Sequence, residues 1–414
     1  MNEREAPEIR FKGFTDDWEQ RKFSDITYPS GEKNRDNLPY ESYSITNESG
    51  FVPQDEKFEN GGTMRDADKR MYYIVSPQSF AYNPARINVG SIGYQNTSKN
   101  VIVSSLYEIF KTTEEVDDRF LWHWFKSDDF QKLIVQLQEG GVRLYFYYDK
   151  LCMGAIALPS LAEQQRIGAY LDKLDNLITL HQRKHKKLIS VKKSMLEKMF
   201  PQNGAKVPEI RFEGFTDDWE QRKVGDTCKI NGRIGFRGYT EKDIISKEAG
   251  GVLTFSPTNI VDNKLTMDCK NTYITREKYD ESPEIMIKNG DILFVKTGST
   301  LGKSALVTGL DEDASINPQI VVMRVEEGTE AFFSNVLITQ DVLKQVAAVR
   351  IGGAVPTMTE TELKNFAYYE PTSKAEKNKI GEYFSNLDNF ITLHQRELDK
   401  LVNIKKSMLE KMFA

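Results

Sequence analysis

The sequence predicts an α+β protein with an internal pseudo-two-fold repeat. Two globular domains of mixed helix and strand are expected, separated by a long antiparallel two-helix coiled coil. Three observations support this fold class: a repeated opening segment, a repeated helical end, and two middle segments without useful identity. At 414 residues and 39% hydrophobic content, the chain is long enough for several cores.

The opening segment occurs twice. PEIRFKGFTDDWEQRK at Pro7–Lys22 returns as PEIRFEGFTDDWEQRK at Pro208–Lys223, with a single difference. KKSMLEKMF occurs at Lys192–Phe200 and again at Lys405–Phe413. The offsets are 201 (208 minus 7) and 213 (405 minus 192), so the second middle is twelve residues longer. Such a chain is typical of one scaffold that presents two different surfaces.

The repeated ends are predicted to be long helices. Their apolar residues alternate in steps of four and three over four heptads, which is the pattern of a coiled-coil seam. His181 and His394 fall on the same seam, where a polar residue fixing the register is favoured over a metal or proton-transfer role. The predicted seam positions are Ile167, Leu171, Leu174, Ile178, Leu188, Ile380, Phe384, Leu387, Ile391, Leu398 and Leu401.

The linker length predicts the orientation of these helices. Residues 201–207 span at most about 25 Å, whereas a helix over 162–200 is about 57 Å long. The second half must therefore begin near the far end of the first helix, and the second helix must run back. The predicted segments are 1–157 (arm and first domain), 158–200 (first helix), 201–370 (linker, arm and second domain) and 371–414 (second helix).

Composition limits the function classes. Three cysteines without metal spacing, a charged start and no apolar run of about 18 residues predict a soluble, cytoplasmic protein with reduced thiols and no membrane partner. Residues 158–200 carry nine Lys/Arg against four Asp/Glu, while the middles, 23–157 and 224–370, each have a net charge of −5. Any nucleic-acid surface in the middles must therefore be a local basic patch.

Three kinds of loop in the middles are candidates for such a patch. GDILFVKTGSTLGKSALV (290–307) reads as strand, turn, strand, and its glycine spacing does not fit a phosphate-binding P-loop. FAYNPARINVGSIGYQNTSKN (80–100) mixes basic, amide and aromatic residues around glycines. GGVRLYFYYDK (140–150) and VRIGGAVPTMT (349–359) occupy matching places in the two middles.

Basic, amide, hydroxyl and aromatic side chains in these loops suit phosphate oxygens and base edges. Each stretch alone is also compatible with an ordinary surface loop. The predicted DNA-binding residues are Arg86, Tyr94, Gln95, Asn96, Lys99, Arg143, Tyr145, Arg233, Arg237, Lys296, Thr297, Ser299, Thr300, Lys303 and Arg350.

Catalytic motifs are missing from the sequence. It contains no glycine-rich cofactor loop after a strand, no HExxH and no GxSxG, and its four histidines leave little room for general-base chemistry. Asn83-Pro84-Ala85 is not the Asn/Asp-Pro-Pro-aromatic motif of amino-methyltransferases. The sequence therefore predicts a non-enzyme without catalytic residues, cofactor or metal.

Taken together, the sequence resembles the specificity subunit of type I restriction–modification systems over essentially its whole length. LPSLAEQQRIGAYLDKLDNLI (158–178) is similar to the opening of this family's conserved helix. The second copy has Glu376-Lys377 where that opening has Glu-Gln. NPARINVGSIGY and GDILFVKTGSTLGKSAL also resemble recurrent segments of the family's target-recognition domains.

The resemblance implies a non-catalytic subunit that reads a two-part double-stranded DNA site, with one target-recognition domain per half-site. It also implies that the conserved helices hold two adenine-methyltransferase subunits, and that restriction–translocase subunits join the full complex. No DNA-contact residue carries over, because recognition domains differ in what they read. Two other classes stay open: a coiled-coil adaptor that binds only proteins, and a nuclease or methyltransferase with a disguised site.

Overall fold

The computed structural model describes residues 7–47, 50–57, 68–140, 144–267, 269–326, 328–349 and 356–413. The chain forms two compact units that do not follow chain order. Unit 1 comprises Met1–Gln182 and Arg396–Ala414, and unit 2 comprises Arg183–Gln395. Each unit therefore contains one middle and parts of both repeated ends.

The first half of the chain supplies eleven strands and six helices within its described residues. The strands are β1 (Glu19–Lys22), β2 (Thr27–Pro29), β3 (Glu32–Lys33), β4 (Tyr43–Thr46), β5 (Gly50–Pro53), β6 (Tyr73–Val75), β7 (Phe80–Tyr82), β8 (Ile92–Tyr94), β9 (Val101–Val103), β10 (Glu108–Thr112) and β11 (Ala155–Leu158). The helices are α1 (Phe23–Ile26), α2 (Gln54–Lys57), α3 (Asp118–Trp124), α4 (Asp128–Leu137), α5 (Tyr148–Met153) and α6 (Leu161–Lys198).

The second half supplies the same numbers of each, again within the described ranges. Its strands are β12 (Glu220–Lys223), β13 (Cys228–Gly232), β14 (Val252–Phe255), β15 (Ile260–Val261), β16 (Lys264–Leu265), β17 (Thr272–Ile274), β18 (Ile292–Val295), β19 (Ser304–Leu306), β20 (Ala314–Ile316), β21 (Ile320–Val325) and β22 (Ala367–Glu370). Its helices are α7 (Val224–Thr227), α8 (Arg276–Asp280), α9 (Glu330–Val336), α10 (Gln340–Val349), α11 (Glu360–Lys364) and α12 (Lys374–Phe413).

The two middles build the same central sheet from unrelated sequences. The strand order is β2-β10-β7-β8 in unit 1 and β13-β21-β18-β19 in unit 2, and every pairing in both sheets is antiparallel. The predicted strand–turn–strand at 290–307 is confirmed, since β18 pairs with β19 in the register Phe294↔Ser304. The hairpin β7–β8 takes the equivalent place in unit 1.

The repeated opening segment joins the two long helices within each unit. In unit 1 the Arg10 guanidinium donates to both carboxylate oxygens of Glu163 in the first turn of α6, at 2.9 and 2.7 Å. The Ile9 amide donates to the Lys411 carbonyl near the end of α12, at 3.1 Å. The arm therefore binds the start of one long helix and the end of the other.

Unit 2 contains the same arrangement with the repeats exchanged. Arg211 donates to Glu376 of α12 at 2.7 and 2.8 Å, and the Ile210 amide donates to the Lys198 carbonyl of α6 at 2.8 Å. Glu163 and Glu376 are both almost fully buried, so each requires its arginine partner. These shared contacts account for the near-identity of the two opening segments.

The second position of the Glu-Gln pair differs between the copies because its surroundings differ. The Gln164 amide nitrogen donates to the carbonyls of Pro159 and Glu115 at 3.0 and 3.1 Å. Lys377, at the equivalent place, forms an ion pair with the Glu370 carboxylate at 2.8 Å. Each copy therefore satisfies this polar group locally.

The long helices pack antiparallel inside each unit. In unit 1, Leu171 and Leu174 near the start of α6 share a core with Met412 and Phe413 at the end of α12. In unit 2, Met199 and Phe200, at and just beyond the end of α6, share a core with residues near the start of α12, and the ring centroids of Phe200 and Phe384 lie 5.9 Å apart. The predicted fold class, with two mixed domains and long antiparallel helices in a repeated chain, is confirmed.

The predicted seam residues divide by depth. The buried ones are Ile167, Leu171, Leu174, Ile380, Phe384 and Leu387. The half-buried ones are Ile178, Leu188, Ile391, Leu398 and Leu401, together with His181 and His394. The seam is therefore buried where it packs against a globular domain and partly exposed to solvent elsewhere.

One lysine–aspartate pair fixes the helix register in each unit. Lys192 donates to both oxygens of Asp388 at 2.8 and 2.7 Å in unit 2. Lys405 and Asp175 form the equivalent pair in unit 1. The offsets agree, since 405 minus 192 and 388 minus 175 are both 213. Because a charged group on a seam favours one register, these pairs disfavour slipped or parallel helices.

Replacing Lys405 with Met should lower the free energy of unfolding by about 1–3 kcal/mol, because it leaves a partly buried carboxylate with one fewer cation. Chemical denaturation measures this loss. Lys192→Met is the matched variant in unit 2, and we expect a similar loss there. A double-mutant cycle with Asp175→Asn should show coupling, and strictly additive losses would contradict the pairing.

The contribution of Asp175 should depend on acid pH. Burial raises the pKa of its carboxyl, but Lys126 and Lys405 outweigh burial and hold the pKa below its ordinary value. A lowered folded-state pKa gives stability that is present above the unfolded pKa of about 3.9 and lost as pH falls through the folded pKa. The stability difference between the parent chain and Asp175→Asn should therefore shrink as pH falls below about 4. A difference that grew on acidification would contradict this assignment.

Candidate nucleic-acid interface

In each unit the hairpin loop of the central sheet contacts the segment that precedes the last short helix, which is α5 in unit 1 and α11 in unit 2. In unit 1 the Phe146 amide donates to the Pro84 carbonyl in the β7–β8 loop, at 3.1 Å. In unit 2 the Gly298 amide of the β18–β19 loop donates to the Pro356 carbonyl at 2.9 Å, and the Met358 amide donates to the Lys296 carbonyl at 2.8 Å. The fold therefore brings together, in both units, the loops that the sequence marked as candidates.

In unit 1 these loops border a cleft of about 860 Å³. The Tyr145 and Tyr147 rings lie parallel, with centroids 5.6 Å apart, and the exposed Arg86 lies on the same cleft. Asn83 fixes the loop, because its side-chain oxygen accepts from the Ala85 amide at 3.0 Å. Flat aromatic faces and a guanidinium suit stacked bases and phosphate oxygens.

Several residues of this cleft are not among those predicted from the sequence. Tyr73 lines it from β6 and Tyr107 from the turn before β10, and the exposed Leu106 also lines it. Only the fold brings them there. Tyr147 could have been found, because it follows Tyr145 by two residues, the spacing that places side chains on one face of an extended segment.

Three more predicted residues of unit 1, Tyr94, Gln95 and Asn96, line a second cleft of about 1030 Å³. Asn96 and Lys99 are exposed. Gln95 is fully buried, and its amide bonds the Lys99 carbonyl and the Thr97 amide, so it shapes the turn. Tyr94 donates to Asp118 at 3.0 Å, and burial raises the pKa of its phenol. The structure therefore separates this group from Arg86 and Tyr145.

The second cleft also borders the helix register pair. His123 is fully buried, with Nε2 2.9 Å from Asp172, and burial lowers the pKa of its imidazole. Lys126 lies 3.7 Å from Asp175, and burial lowers the pKa of its ammonium to about 8. Lys264 makes the corresponding contact in unit 2, 3.4 Å from Asp388. Each globular middle thus contributes a lysine to the pair that fixes the helices.

The hairpin tip of unit 2 exposes one of its two lysines fully. Lys303 and Ser299 are exposed, while Thr297 and Thr300 are half-buried. Lys296 is half-buried, with its ammonium 3.7 Å from Glu360. Gly298 and Gly302 have φ of 107° and 92°, a conformation that favours glycine and allows the tight turn closed by the Lys303 amide on the Thr300 carbonyl.

The remaining predicted arginines fall into three situations. Arg233 belongs to the core: it donates to the Ile316 carbonyl at 3.1 Å and to the Ser315 hydroxyl at 2.9 Å, and burial lowers its pKa. A guanidinium held in this way stabilises the domain and is not presented to a ligand. Arg237 is half-buried, 3.5 Å from Glu284. Arg143 and Arg350 lie outside the described residues.

Metal or membrane chemistry has no support in the described part of the chain. No group of three His, Cys, Asp or Glu there could hold a metal ion. None of the described helices combines the length and apolar character needed to cross a membrane. Cys152, Cys228 and Cys269 are free thiols.

Comparison with known sequences gives a consistent result. The family model of the type I restriction modification DNA specificity domain matches the chain twice, over residues 15–190 and 216–403. The type I restriction enzyme MjaVIII specificity subunit of Methanocaldococcus jannaschii is 22% identical over 320 residues, covering 75% of this chain and 73% of the relative. The putative type I restriction enzyme MjaX specificity subunit of the same organism is 24% identical over 205 residues, covering 48% and 46%.

Comparison with solved structures shows the same fold at low sequence identity. The type I restriction–modification S subunit from M. genitalium matches with a TM-score of 0.63 at 14% identity, covering 99% of both chains. A chain from a structure of the type I R-M system, determined to explain complex assembly and conformational transition, matches with a TM-score of 0.50 at 14% identity, covering 97% of this chain and 98% of that one.

Lys303→Ala should weaken DNA binding to all sequences alike and reduce the slope of log affinity against log salt by about one, because an exposed lysine that contacts phosphate releases about one counterion. Binding titrations at two salt concentrations measure this. Lys288→Ala is the matched control, since Lys288 is also exposed but precedes β18 at the opposite end of the hairpin. Equal slopes for the parent, Lys303→Ala and Lys288→Ala would remove this tip from the interface.

Proposed function

Since the chain belongs to the family of type I restriction–modification DNA specificity domains, we propose that each of its units reads one half of a two-part DNA site. We further propose that its repeated helices hold two adenine-methyltransferase subunits, which restriction–translocase subunits join in the full complex. The chain itself is a specificity subunit and not an enzyme: the prediction of a non-catalytic subunit is confirmed by this membership.

The proposal that each unit reads one half-site rests on one observation. Both units have the same central sheet topology, but the side chains on their hairpin loops differ. In both units, backbone hydrogen bonds join the hairpin loop to the segment that precedes the last short helix, α5 or α11. The side chains differ: unit 1 presents Arg86 with paired tyrosines, and unit 2 presents Lys303 with hydroxyl groups. Equivalent frames with different polar groups suit two half-sites of different sequence.

The observation that supports two identical partners is a repeated apolar surface on the helices. Leu180 is 58% exposed and Val402 is 45% exposed in unit 1, while Leu393 is 52% exposed and Ile189 is 48% exposed in unit 2. These are the same two repeat positions, since 393 minus 180 and 402 minus 189 are both 213. Large apolar residues exposed at matching places suit a protein partner that binds twice.

The rival functions predict different results. A coiled-coil adaptor would bind protein without sequence-specific DNA recognition. It would give no role to the hairpin loops, whose side chains differ between the two units. A disguised methyltransferase or nuclease would act as an isolated chain. The double match to DNA specificity domains favours the reader over both.

Exchanging residues 23–157 for another target-recognition domain should change one half of the methylated site and leave the other half intact. The reciprocal exchange of residues 224–370 is the matched control and should change only the other half. Mapping adenine methylation in a genome that expresses each variant with the methyltransferase gives the result. A change in both halves from one exchange would contradict one reader per unit.

A further inference from the structure

The two repeated helices differ most in charge over one short stretch. It begins at the last residue of an identical segment, ITLHQR (178–183 and 391–396), and precedes the identical KKSMLEKMF: α6 reads RKHKK at Arg183–Lys187 and α12 reads RELDK at Arg396–Lys400. With neutral histidine, the formal charges are +4 and 0. At this stretch one copy of the helix is therefore strongly basic, and the other has equal numbers of acidic and basic residues.

The basic copy lies on the surface of unit 2. Arg183, Lys184, Lys186 and Lys187 are all exposed. Among the described residues none of the four has a carboxylate within ion-pair distance, whereas the nearby Lys192 is bound to Asp388. Among these four cations, three pairs (183/186, 183/187 and 184/187) are three or four residues apart, a spacing at which like charges destabilise a helix. The segment is therefore unfavourable for the free helix and favourable for binding an anion.

The reading hairpin of unit 2 is connected to this part of the helix pair. Strand β16 packs against β19, the second strand of the hairpin. Lys264 of β16 donates to the Asp388 carbonyl at 3.0 Å and to the Thr392 hydroxyl at 2.7 Å. Asp388 in turn accepts from Lys192, which is five residues, or about 8 Å along the helix, from Lys187.

The anion that fits this place is duplex DNA. A duplex carries one negative charge per about 1.7 Å of its axis, so DNA held by the hairpin presents several phosphates within reach of long lysine side chains. We propose that Arg183, Lys184, Lys186 and Lys187 bind phosphates of the DNA that adjoins the second half-site. This inference rests on the proposed function, and it adds a sequence-independent contact made by one helix copy alone.

The chain itself supplies the variant that tests this. The triple substitution K184E/H185L/K186D converts RKHKK into RELDK, which the same helix frame already carries in its second copy. Loss of folding is therefore not expected. H185L alone and K184R/K186R are the controls, because the first changes no lysine and the second keeps the charge.

The measurement is the affinity of the chain, assembled with its methyltransferase, for a duplex containing the site at 50 and 200 mM salt. Losing two lysine–phosphate contacts should reduce the salt slope by about two. Over this fourfold rise in salt the parent complex should then lose about tenfold more affinity than the triple variant. Both controls should keep the parent slope, and the methylated sequence should not change.

The outcomes separate the possibilities. An unchanged slope in the triple variant overturns the inference. Weaker co-purification of the methyltransferase at an unchanged slope also overturns it, and identifies the segment as a protein-docking surface. If the parent complex methylates no two-part sequence, the proposed function fails, while the slope still reports whether this helix segment contacts DNA.

Discussion

The fold depends on an antiparallel pairing in which the end of each long helix completes the core begun by the other repeat. Met412 and Phe413 close the core of unit 1, and Met199 and Phe200 close that of unit 2. The core of each unit therefore contains residues from both repeats. Each opening segment, the Glu-binding arginine included, lies where the start of one helix meets the end of the other. The repeated segments are therefore the parts that make this junction twice.

This constraint leaves the middles free to differ. They contribute a sheet of fixed strand order and a lysine to the register pair, Lys126 in unit 1 and Lys264 in unit 2. These lysines come from different elements, the turn after α3 and strand β16, yet reach equivalent aspartates. The loops at the hairpin are under no such requirement, so under the proposed function their side chains are free to match different half-sites. Specificity can therefore change without disturbing the scaffold.

The parts of this fold that sequence reasoning predicts are those with a period or a local turn. The seam spacing predicts both helices, the short linker at 201–207 predicts their antiparallel order, and the glycine-flanked run at 290–307 predicts the hairpin. Side-chain depth is a different matter. Arg233 is bound by Ile316 and Ser315, more than 80 residues away, and nothing in its local sequence reveals that burial. The 860 Å³ cleft of unit 1 is likewise lined by segments far apart in sequence. Composition alone therefore could not show that Tyr73 and Tyr147 line the same cleft.

Differences between the copies carry information only when their contacts are known. Gln164 and Lys377 differ, yet both are satisfied inside their own units by carbonyls or by Glu370, so that difference reflects packing. Where the copies agree, as at Arg10 and Arg211, the residues hold the frame together. The segment at 183–187 meets neither description, because its cations are exposed and make no ion pair among the described residues. A sequence difference without a role in packing points to a ligand, and four cations within five residues favour a polyanion.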